Sequence, residues 1–426
     1  MNIEQVEIVD VDGSVEFRFH ELTIRGLADS DNEELNQWGN RVPITVTEGQ
    51  LEAYGIPGDY GLRPSLYKNS FVSVGVEQDR LVGVTGLCAK RIILNGKIRE
   101  ICYGIDGIIH PDFRSKGYVH LISLRNSFIA LQNGVPMAGS YGSVSSSNIP
   151  SIRSCYRIGM KYLFKYDRLI CTTEQWKYYQ NEKPPTNDIT VIKDPNEAAE
   201  LLIKDFGTLD FFPIDANEIT DNIPFMGTLV LKSGNNNNSA MISIWDMNYT
   251  STTIDASTKE KLRGYFLFGG TGDIELLSEL IRRIGAWSAK QSHGEKTYIV
   301  INTCNIADPL AQAWYNVVPT ELMKGMAYQI MFTDSTKGKI TFGYQEDKMN
   351  NNIDNLNTIQ TNSSKEETIE NMFKNNNGNT KRSKNSKYTF FDPRDNGILL
   401  IPKDNVYSKK EDLVTSSLIK NTKSKL

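Results

Sequence analysis

The sequence predicts an α+β fold, in which a mixed β-sheet carries helices on both faces. Three strand-like runs follow one another at residues 71–77, 81–93 and 98–109, and the links between them are short enough for antiparallel hairpins. The spacing of apolar residues then changes to the period of a helix over residues 117–131. A strand, a shorter helix and a last strand complete the set. This order predicts a meander followed by alternating helices and strands, with a helix on each face, and not a doubly wound parallel sheet.

The other elements of this first unit are predicted from shorter patterns. Residues 15–25 alternate apolar and polar side chains, as expected of one half-buried strand. A polar, turn-rich stretch follows as far as Tyr67. The strand, helix and strand after the long helix are expected at residues 135–143, 148–159 and 161–171.

A second unit repeats the pattern without repeating the residues. It begins beyond a Lys- and Pro-containing link, NEKPPTND, which is typical of a domain boundary. Its helices are expected at residues 197–206, 274–291 and 307–315, and its strands at 227–232, 240–247, 264–268, 297–302 and 327–333.

Four segments follow from these patterns. We expect a first domain at residues 1–175 and a second, degenerate copy at 176–347. Residues 348–387 are rich in Asn, Ser, Thr, Lys and Glu, a composition that cannot bury enough apolar surface to fold alone. Apolar residues return in 388–426, which we expect to be a tail that docks as a hairpin.

Composition favours a globular protein without a basic field. The chain has 426 residues, of which 39% are hydrophobic and 23% charged, and its net charge of −4 disfavours nucleic acid or an anionic membrane as a partner. None of the four histidines has a metal-ligand spacing, so no metal is expected. The five cysteines form no CxxC pair, which is typical of a reducing compartment. They are Cys88, Cys102, Cys155, Cys171 and Cys304.

Localisation follows from two further absences in the sequence. The N-terminal residues MNIEQVEIVDVDG are acidic and lack the apolar region of a secretory signal. No stretch approaches the roughly 18 consecutive apolar residues that cross a bilayer. We therefore expect a cytoplasmic protein.

Residues 105–122, IDGIIHPDFRSKGYVHLI, carry the clearest chemistry. A strand ends at His110-Pro111, a tight loop follows, and a helix begins directly after Gly117. The first N–H groups of a helix lack intrahelical partners and attract phosphate. Arg114 and Lys116 add positive charge, and Gly117 allows the backbone to approach a diphosphate.

This segment resembles the acyl-CoA motif of the GNAT superfamily of N-acyltransferases. That motif is a strand, then R/Q-x-x-G-x-G/A opening a helix, and it matches the run from Arg114 to Val119 except that Val119 replaces a glycine or alanine. Downstream, Asn148 and the helix SIRSCYRIGM resemble the family's later elements. The resemblance covers residues 15–171, and the second unit then looks like a degenerate tandem copy.

The resemblance implies an N-acetyltransferase that uses acetyl-CoA as its donor. It implies that residues 139–142 line the acyl slot and that a backbone N–H near Ile109 holds the oxyanion. The acceptor would be an amine of a small molecule or peptide, attacking the thioester directly. The residues implied in binding CoA are Ile108, Ile109, His110, Arg114, Ser115, Lys116, Gly117, Tyr118, Val119, Asn148 and Ser151.

The proton-transfer residues stay open between alternatives. In the family, the tyrosine that acts as general acid lies four residues before a glycine. In this sequence Cys155 occupies that position, and Tyr156 follows one residue later. One residue is about 100° of helix rotation, so both cannot face the same sulfur. Either side chain, or water, is the acid. Asp106 or Glu100 is the candidate base, and His110 and His120 are further candidates, with His120 expected on the helix surface.

The glycine-rich run FGGTGD at 268–273 precedes a helix but has no basic residue, so we expect a helix-entry loop with Asp273 near the N-cap.

Two alternatives to an N-acetyltransferase complete the sequence-based interpretation. The alternative to an enzyme is a GNAT scaffold that acts as an acyl-CoA sensor or an interaction module. A third class, a transferase using a lipid interface or peptidyl-tRNA, lacks the basic surface that tRNA requires.

Overall fold

The described part of the chain comprises most of both predicted units. The computed structural model describes residues 6–39, 44–47, 51–55, 60–94, 97–135, 139–146, 148–172, 189–206, 211–213, 225–234, 238–249, 251–255, 258, 260–291, 296–303, 308–319, 324–334, 346–347 and 356–357.

The first half contains ten strands and three helices in its described residues. The strands are β1 (Glu7–Val11), β2 (Ser14–Phe19), β3 (Leu22–Gly26), β4 (Ile44–Thr47), β5 (Leu51–Gly55), β6 (Asn69–Glu77), β7 (Arg80–Leu94), β8 (Lys97–Ile109), β9 (Gly139–Ser145) and β10 (Lys161–Thr172). The helices are α1 (Asp31–Gly39), α2 (Tyr118–Gln132) and α3 (Ile149–Arg157).

The second half follows the predicted order. Its strands are β11 (Ile189–Ile192), β12 (Phe211–Pro213), β13 (Phe225–Lys232), β14 (Ser239–Asp246), β15 (Ser251–Asp255), β16 (Lys261–Gly272), β17 (Thr297–Thr303), β18 (Lys324–Asp334), β19 (Glu346–Asp347) and β20 (Leu356–Asn357). Its helices are α4 (Pro195–Phe206), α5 (Ile274–Gln291) and α6 (Pro309–Val317).

One continuous sheet runs through both halves. Neighbouring strands pair in the order β1-β2-β3-β6-β7-β8-β9-β18-β10-β17-β16-β14-β13-β11. The pairs β8–β9 and β16–β17 are parallel, and the other pairs in this run are antiparallel. The predicted α+β class with a mixed sheet is confirmed.

The two halves exchange strands at the centre of this sheet. The last long strand of the second half, β18, lies between β9 and β10 of the first half and is antiparallel to both. In return, β10 pairs with β17 through Asp167–Thr172. The order outward from the centre is then the same on both sides: β9 and β8 on one, β17 and β16 on the other. The tandem pattern is therefore closed by a reciprocal exchange.

A matching β-bulge marks the repeat at the level of single residues. On β8, Asp106 and Gly107 lie opposite one residue of β7, where the register shifts between Val84 and Gly86. On β16, Gly269 and Gly270 produce the same shift opposite β14. Both first residues have left-handed backbone, with φ of 51° at Asp106 and 61° at Gly269. A bulge of this kind bends its strand away from regular pairing.

Helices cover both faces of the sheet in the first half, but not as the sequence predicted. α2 covers one face, where Asn126 donates to Thr85 Oγ1 at 3.0 Å. α1 covers the opposite face, where Leu35 packs on Val74 and Val84. α3 lies beside α2, joined by a 3.2 Å hydrogen bond between Ser154 and His120. The prediction of α2 and α3 on opposite faces is therefore wrong, because α1 covers the second face.

The N-terminal predictions need two corrections. Residues 15–25 form a hairpin, since His20 has left-handed φ of 53° and reverses the chain between β2 and β3. The turn-rich stretch contains α1, which is polar and offers little helical apolar pattern, together with β4 and β5. The predicted link at 176–188 and tail hairpin at 388–426 lie outside the described residues, as does 348–387 apart from 356–357, so the domain limits stay predictions.

Among the described residues, no helix is long and apolar enough to cross a membrane. In the same residues, no group of three or more His, Cys, Asp or Glu side chains is placed to hold a metal ion.

The strand exchange predicts that neither half folds alone. A fragment of residues 1–180 lacks β18, so β9 and β10 lose the strand between them and expose unpaired backbone edges. We expect this fragment to aggregate when expressed alone, and to form a soluble complex when co-expressed with residues 181–426. Size-exclusion chromatography and circular dichroism measure both. A monomeric, cooperatively unfolding 1–180 fragment would contradict the exchange.

Candidate functional site

The site begins where two parallel strands separate. Among the described residues, β8 and β9 pair through Cys102–Gly104 on β8, although β8 continues to Ile109. β9 continues to Ser145, and its other edge pairs with β18 along the whole strand. A wedge-shaped opening therefore lies between residues 105–109 and residues 143–145. From the sequence, residues 139–142 were expected to line this opening. They end where the opening starts, because β9 remains paired with β8 as far as Gly142.

The loop after β8 leads directly to the N-terminus of α2. Residues Pro111–Phe113 form a single 3₁₀ turn, whose first N–H is capped by His110 Nδ1 accepting from Asp112 N at 3.2 Å. The chain then reverses through left-handed φ at Ser115 (67°) and Gly117 (83°). Gly117 is the N-cap residue of α2 and has no side chain to satisfy the first N–H groups of the helix. This helix end is therefore suited to an anion.

Basic and acidic side chains surround this helix end. Arg114 is exposed and its Nε donates to Ile109 O at 3.3 Å. Lys116 Nζ lies 3.1 Å from Glu77 Oε2, and Tyr118 Oη donates to Glu77 Oε1 at 2.7 Å. The hydrogen bond from Tyr118, followed by those from Lys116, lowers the pKa of Glu77 below its usual range. Glu77 is thus an anion at neutral pH, beside a loop suited to phosphate.

The remaining loop candidates are held by the sheet. Ile108 and Ile109 pair with Val84 and Gly83 of β7, and the His110 N–H donates to Val82 O at 2.9 Å. That bond occupies the one backbone donor of His110.

Val119, the departure from the family pattern, points towards the sheet. A Cβ at Gly107 would lie 4.0 Å from Val119 Cγ2. The extra methyl groups are therefore directed at the bulge of β8, away from the exposed Arg114–Lys116 turn.

Asp106 lies at the bulge, buried against a cation that the sequence analysis missed. Its Oδ1 accepts from Arg63 Nη1 at 2.6 Å, and the two side chains are 10% and 3% exposed. Burial is the main influence on the Asp106 carboxyl and raises its pKa, while the charge of Arg63 opposes the rise. Its Oδ2 is buried and has no hydrogen-bond partner among the described residues. A buried carboxylate oxygen without a partner is suited to accept a proton.

An aromatic group lies beside this pair, on the same face of the sheet. Tyr103 Oη accepts from Arg63 Nη2 at 3.3 Å, and the ring of Tyr103 lies 4.8 Å from that of Tyr141 across the β8–β9 pair. The buried Lys90 ammonium lies 5.1 Å from the centre of the Tyr141 ring. Neither Arg63 nor Lys90 belongs to a recognisable motif, so no local pattern indicated a role for them.

The candidate acids lie on α3, on the other side of the opening. Cys155 and Tyr156 both pack against the cluster around Val144 of β9. Burial raises the pKa of Cys155 to about 11, so its thiol is protonated at neutral pH. Asn148 and Ser151 have a local role here, because Asn148 Oδ1 accepts from Ser151 N at 3.2 Å and caps α3.

The position of His120 differs from the expectation. The sequence predicted that it lies on the helix surface, but its side chain is half-buried and hydrogen-bonded to Ser154. Burial, with the charge of Arg157, lowers its pKa. Glu100 lies far along β8, opposite Arg91, and is separated from the opening by the paired segment.

The second half contains a corresponding opening that is closed. β16 and β17 pair in parallel through Arg263–Phe266 and then separate. Leu310 of α6 packs directly on β16 beyond the paired segment: a Cβ at Gly270 would lie only 2.8 Å from Leu310 Cδ1. The N-terminus of α5 is also occupied, because Asp273 Oδ1 accepts from Glu275 N and Leu276 N, both at 3.1 Å. The predicted capping role of Asp273 is confirmed, although the glycines before it belong to β16 and not to a loop.

Comparisons with solved structures identify the fold. No protein-family model and no curated protein sequence matches the chain. The structure is similar to N-myristoyltransferase from Saccharomyces cerevisiae with bound myristoyl-CoA and inhibitors, with a TM-score of 0.54 and 9% identity, covering 82% of this chain and 87% of that one. A second structure of that protein with myristoyl-CoA gives a TM-score of 0.53 and 9% identity over 77% and 85%.

A GCN5-related N-acetyltransferase from Anabaena variabilis is also similar, with a TM-score of 0.43 and 8% identity over 74% of this chain and 73% of that one. The fold is GNAT-like, with two such units in tandem.

The burial of Cys155 predicts low thiol reactivity. With a pKa of about 11, only a small fraction of the thiol is ionised at pH 7.5, so we expect alkylation by iodoacetamide to be much slower than for an exposed cysteine of ordinary pKa. Peptide mapping by mass spectrometry follows modification at Cys155 itself, with the Cys155→Ser variant as the blank. Rapid modification of the folded protein at this position would contradict the burial and the raised pKa of Cys155.

Proposed function

We propose that the protein is an acyl-CoA-dependent N-acyltransferase whose donor binds in the first half. One observation carries the proposal: the opening between β8 and β9 leads directly to the uncapped N-terminus of α2, beside Arg114 and Lys116. A donor with a diphosphate at the helix end can extend its pantetheine arm along residues 105–109. N-myristoyltransferase, which has this fold, is known with bound myristoyl-CoA.

We further propose that the acyl group is short, with acetyl-CoA as the donor. Large side chains fill one sheet face at the paired segment of β8 and β9 and beside it. Tyr166 Oη and Ser143 Oγ are 2.6 Å apart, and the rings of Tyr166 and Tyr328 stack at 5.2 Å. With Tyr103 and Tyr141 also buried there, this face favours a small acyl group over a long chain.

In the proposed reaction, an amine of a small molecule or peptide attacks the thioester carbonyl. The N–C bond forms and the C–S bond breaks. The amine proton passes to Asp106 Oδ2, directly or through water, and the departing thiolate takes a proton from Tyr156. Cys155 is the weaker candidate for that proton, since it packs as a small protonated thiol. A backbone N–H near Ile109 holds the oxyanion.

Asp106 suits the role of base because its environment raises its proton affinity. An ordinary aspartate is a weak base at neutral pH, and burial at the bulge raises the pKa of Asp106. The neighbouring Arg63 limits that rise and keeps the carboxylate available. We also propose that the reaction takes place in the cytoplasm, in keeping with four described cysteines that form no disulfide.

Donor binding provides the first test. Arg114→Glu and Gly117→Glu each place a carboxylate where the diphosphate would lie, so we expect both to abolish binding of acetyl-CoA. Thermal unfolding measures this: at about 100 times its dissociation constant, the ligand should raise the midpoint of the unmodified protein by several degrees.

Arg18→Glu is the matched control, because Arg18 is an exposed residue of β2 with the same charge change. It should retain the shift in midpoint. Binding that survives both loop variants would place the donor elsewhere, and stronger protection by myristoyl-CoA than by acetyl-CoA would overturn the short acyl group. Binding without release of free CoA on any amine would favour a sensor.

Replacement of the base tests the chemistry. Asp106→Asn keeps an oxygen for Arg63 but cannot take the amine proton, so we expect kcat to fall by about 100-fold or more while acetyl-CoA binding persists. In the unmodified enzyme, activity should fall on the acid side as Asp106 becomes protonated, with a midpoint above 3.8 because its pKa is raised. Steady-state kinetics across pH measures both, and an unchanged kcat in the variant would remove Asp106 from the mechanism.

A further inference from the structure

We infer that Glu77 competes with the donor diphosphate for Lys116 and thereby weakens CoA binding and speeds the release of CoA. The inference rests on the proposed function and concerns the same donor site. Glu77 is the last residue of β6, outside the motif that predicts the loop, and no step of the proposed reaction uses it.

The contacts around Lys116 hold its ammonium in one place. Nζ lies 3.1 and 3.4 Å from the two carboxylate oxygens of Glu77. The same ammonium lies 4.8 Å from the centre of the Phe113 ring and 5.3 Å from that of Tyr118. A cation beside a carboxylate and two ring faces is well satisfied before any ligand arrives.

The carboxylate is also fixed from the helix side. Tyr118, the first residue of α2, donates its hydroxyl to Glu77 at 2.7 Å. Glu77 is only 13% exposed, whereas Lys116 is 45% exposed. The lysine can therefore move towards a ligand more easily than the glutamate can withdraw, and the negative charge of Glu77 stays beside the loop.

These facts give Glu77 two opposing effects on a bound diphosphate. It repels the ligand, and it holds the lysine that would otherwise neutralise the ligand. Both effects lower affinity, and both operate again when CoA leaves, because Glu77 offers Lys116 a partner as the phosphate departs. Release of the product CoA is a step that commonly limits turnover in transferases that close around a donor.

Glu77→Gln tests this directly. The amide oxygen can take the place of Oε1 and still accept from Tyr118, while the amide nitrogen takes the place of Oε2, the oxygen 3.1 Å from Lys116. The contact with the helix is therefore kept, and the charge that holds Lys116 is lost. We expect the Kd for CoA to fall by up to about fivefold, as for removal of a competing exposed ion pair. Stopped-flow displacement should show correspondingly slower CoA dissociation, and the dependence of Kd on ionic strength should become steeper.

Two comparisons separate this competition from a general charge effect. Asp112→Asn removes one negative charge from the loop itself, but Asp112 is 66% exposed and its ionic contacts are with Arg80 and His110. It should change the Kd less than twofold. In a Lys116→Gln background, Glu77→Gln should raise the affinity for CoA much less than it does when Lys116 is present, because the competition requires the lysine.

The outcomes are distinct. Weaker CoA binding in Glu77→Gln would show that Glu77 only positions the loop, and would overturn the inference while leaving the donor site in place. An equal gain in CoA affinity in Asp112→Asn would also overturn the inference. So would a full gain from Glu77→Gln in the Lys116→Gln background. Failure of the unmodified protein to bind CoA would overturn the proposed function itself, and this inference with it.

Discussion

The antiparallel pairing of β10 with β18 at the centre of the sheet joins the two halves of the chain into one structure. Each strand comes from a different half of the chain, and each completes the sheet of the other half. Because β9 bonds to β18 along its other edge, residues 143–145 stay in the sheet after they separate from β8. β8 bends away at its bulge, and the facing backbone edges of the two strands border the opening.

The two halves show how one architecture supports two different outcomes. Both have the same bulge, the same parallel pair and the same pair of helices. In the second half Leu310 occupies the space beside Gly270, and Asp273 satisfies the N–H groups at the start of α5. In the first half the corresponding helix begins at Gly117, which has no side chain to cap it. A carboxylate at the one helix end and a glycine at the other decide which half can accept an anion.

Two ion pairs in the candidate site differ in burial, and therefore in the roles for which they are suited. Arg63 and Asp106 are nearly excluded from water, so their interaction is strong and loss of either leaves a buried charge. Lys116 and Glu77 lie at the surface, where water and salt weaken their attraction. The first pair is suited to tune the proton affinity of a carboxylate, and the second is suited to exchange partners with a ligand.

Local patterns in the sequence were enough to predict the main helices and the helix end proposed to bind the donor. The periodicity of residues 117–131 and 274–291 predicted α2 and α5, and the strand ending at His110 followed by Gly117 predicted a helix end open to phosphate, since these features depend on neighbours along the chain. The position of β18, the packing of Leu310 on Gly270, and the pairing of Arg63 with Asp106 became visible in the folded chain alone. Those contacts join residues that are distant in sequence, and no local pattern of spacing or composition records which distant partner a buried side chain will meet.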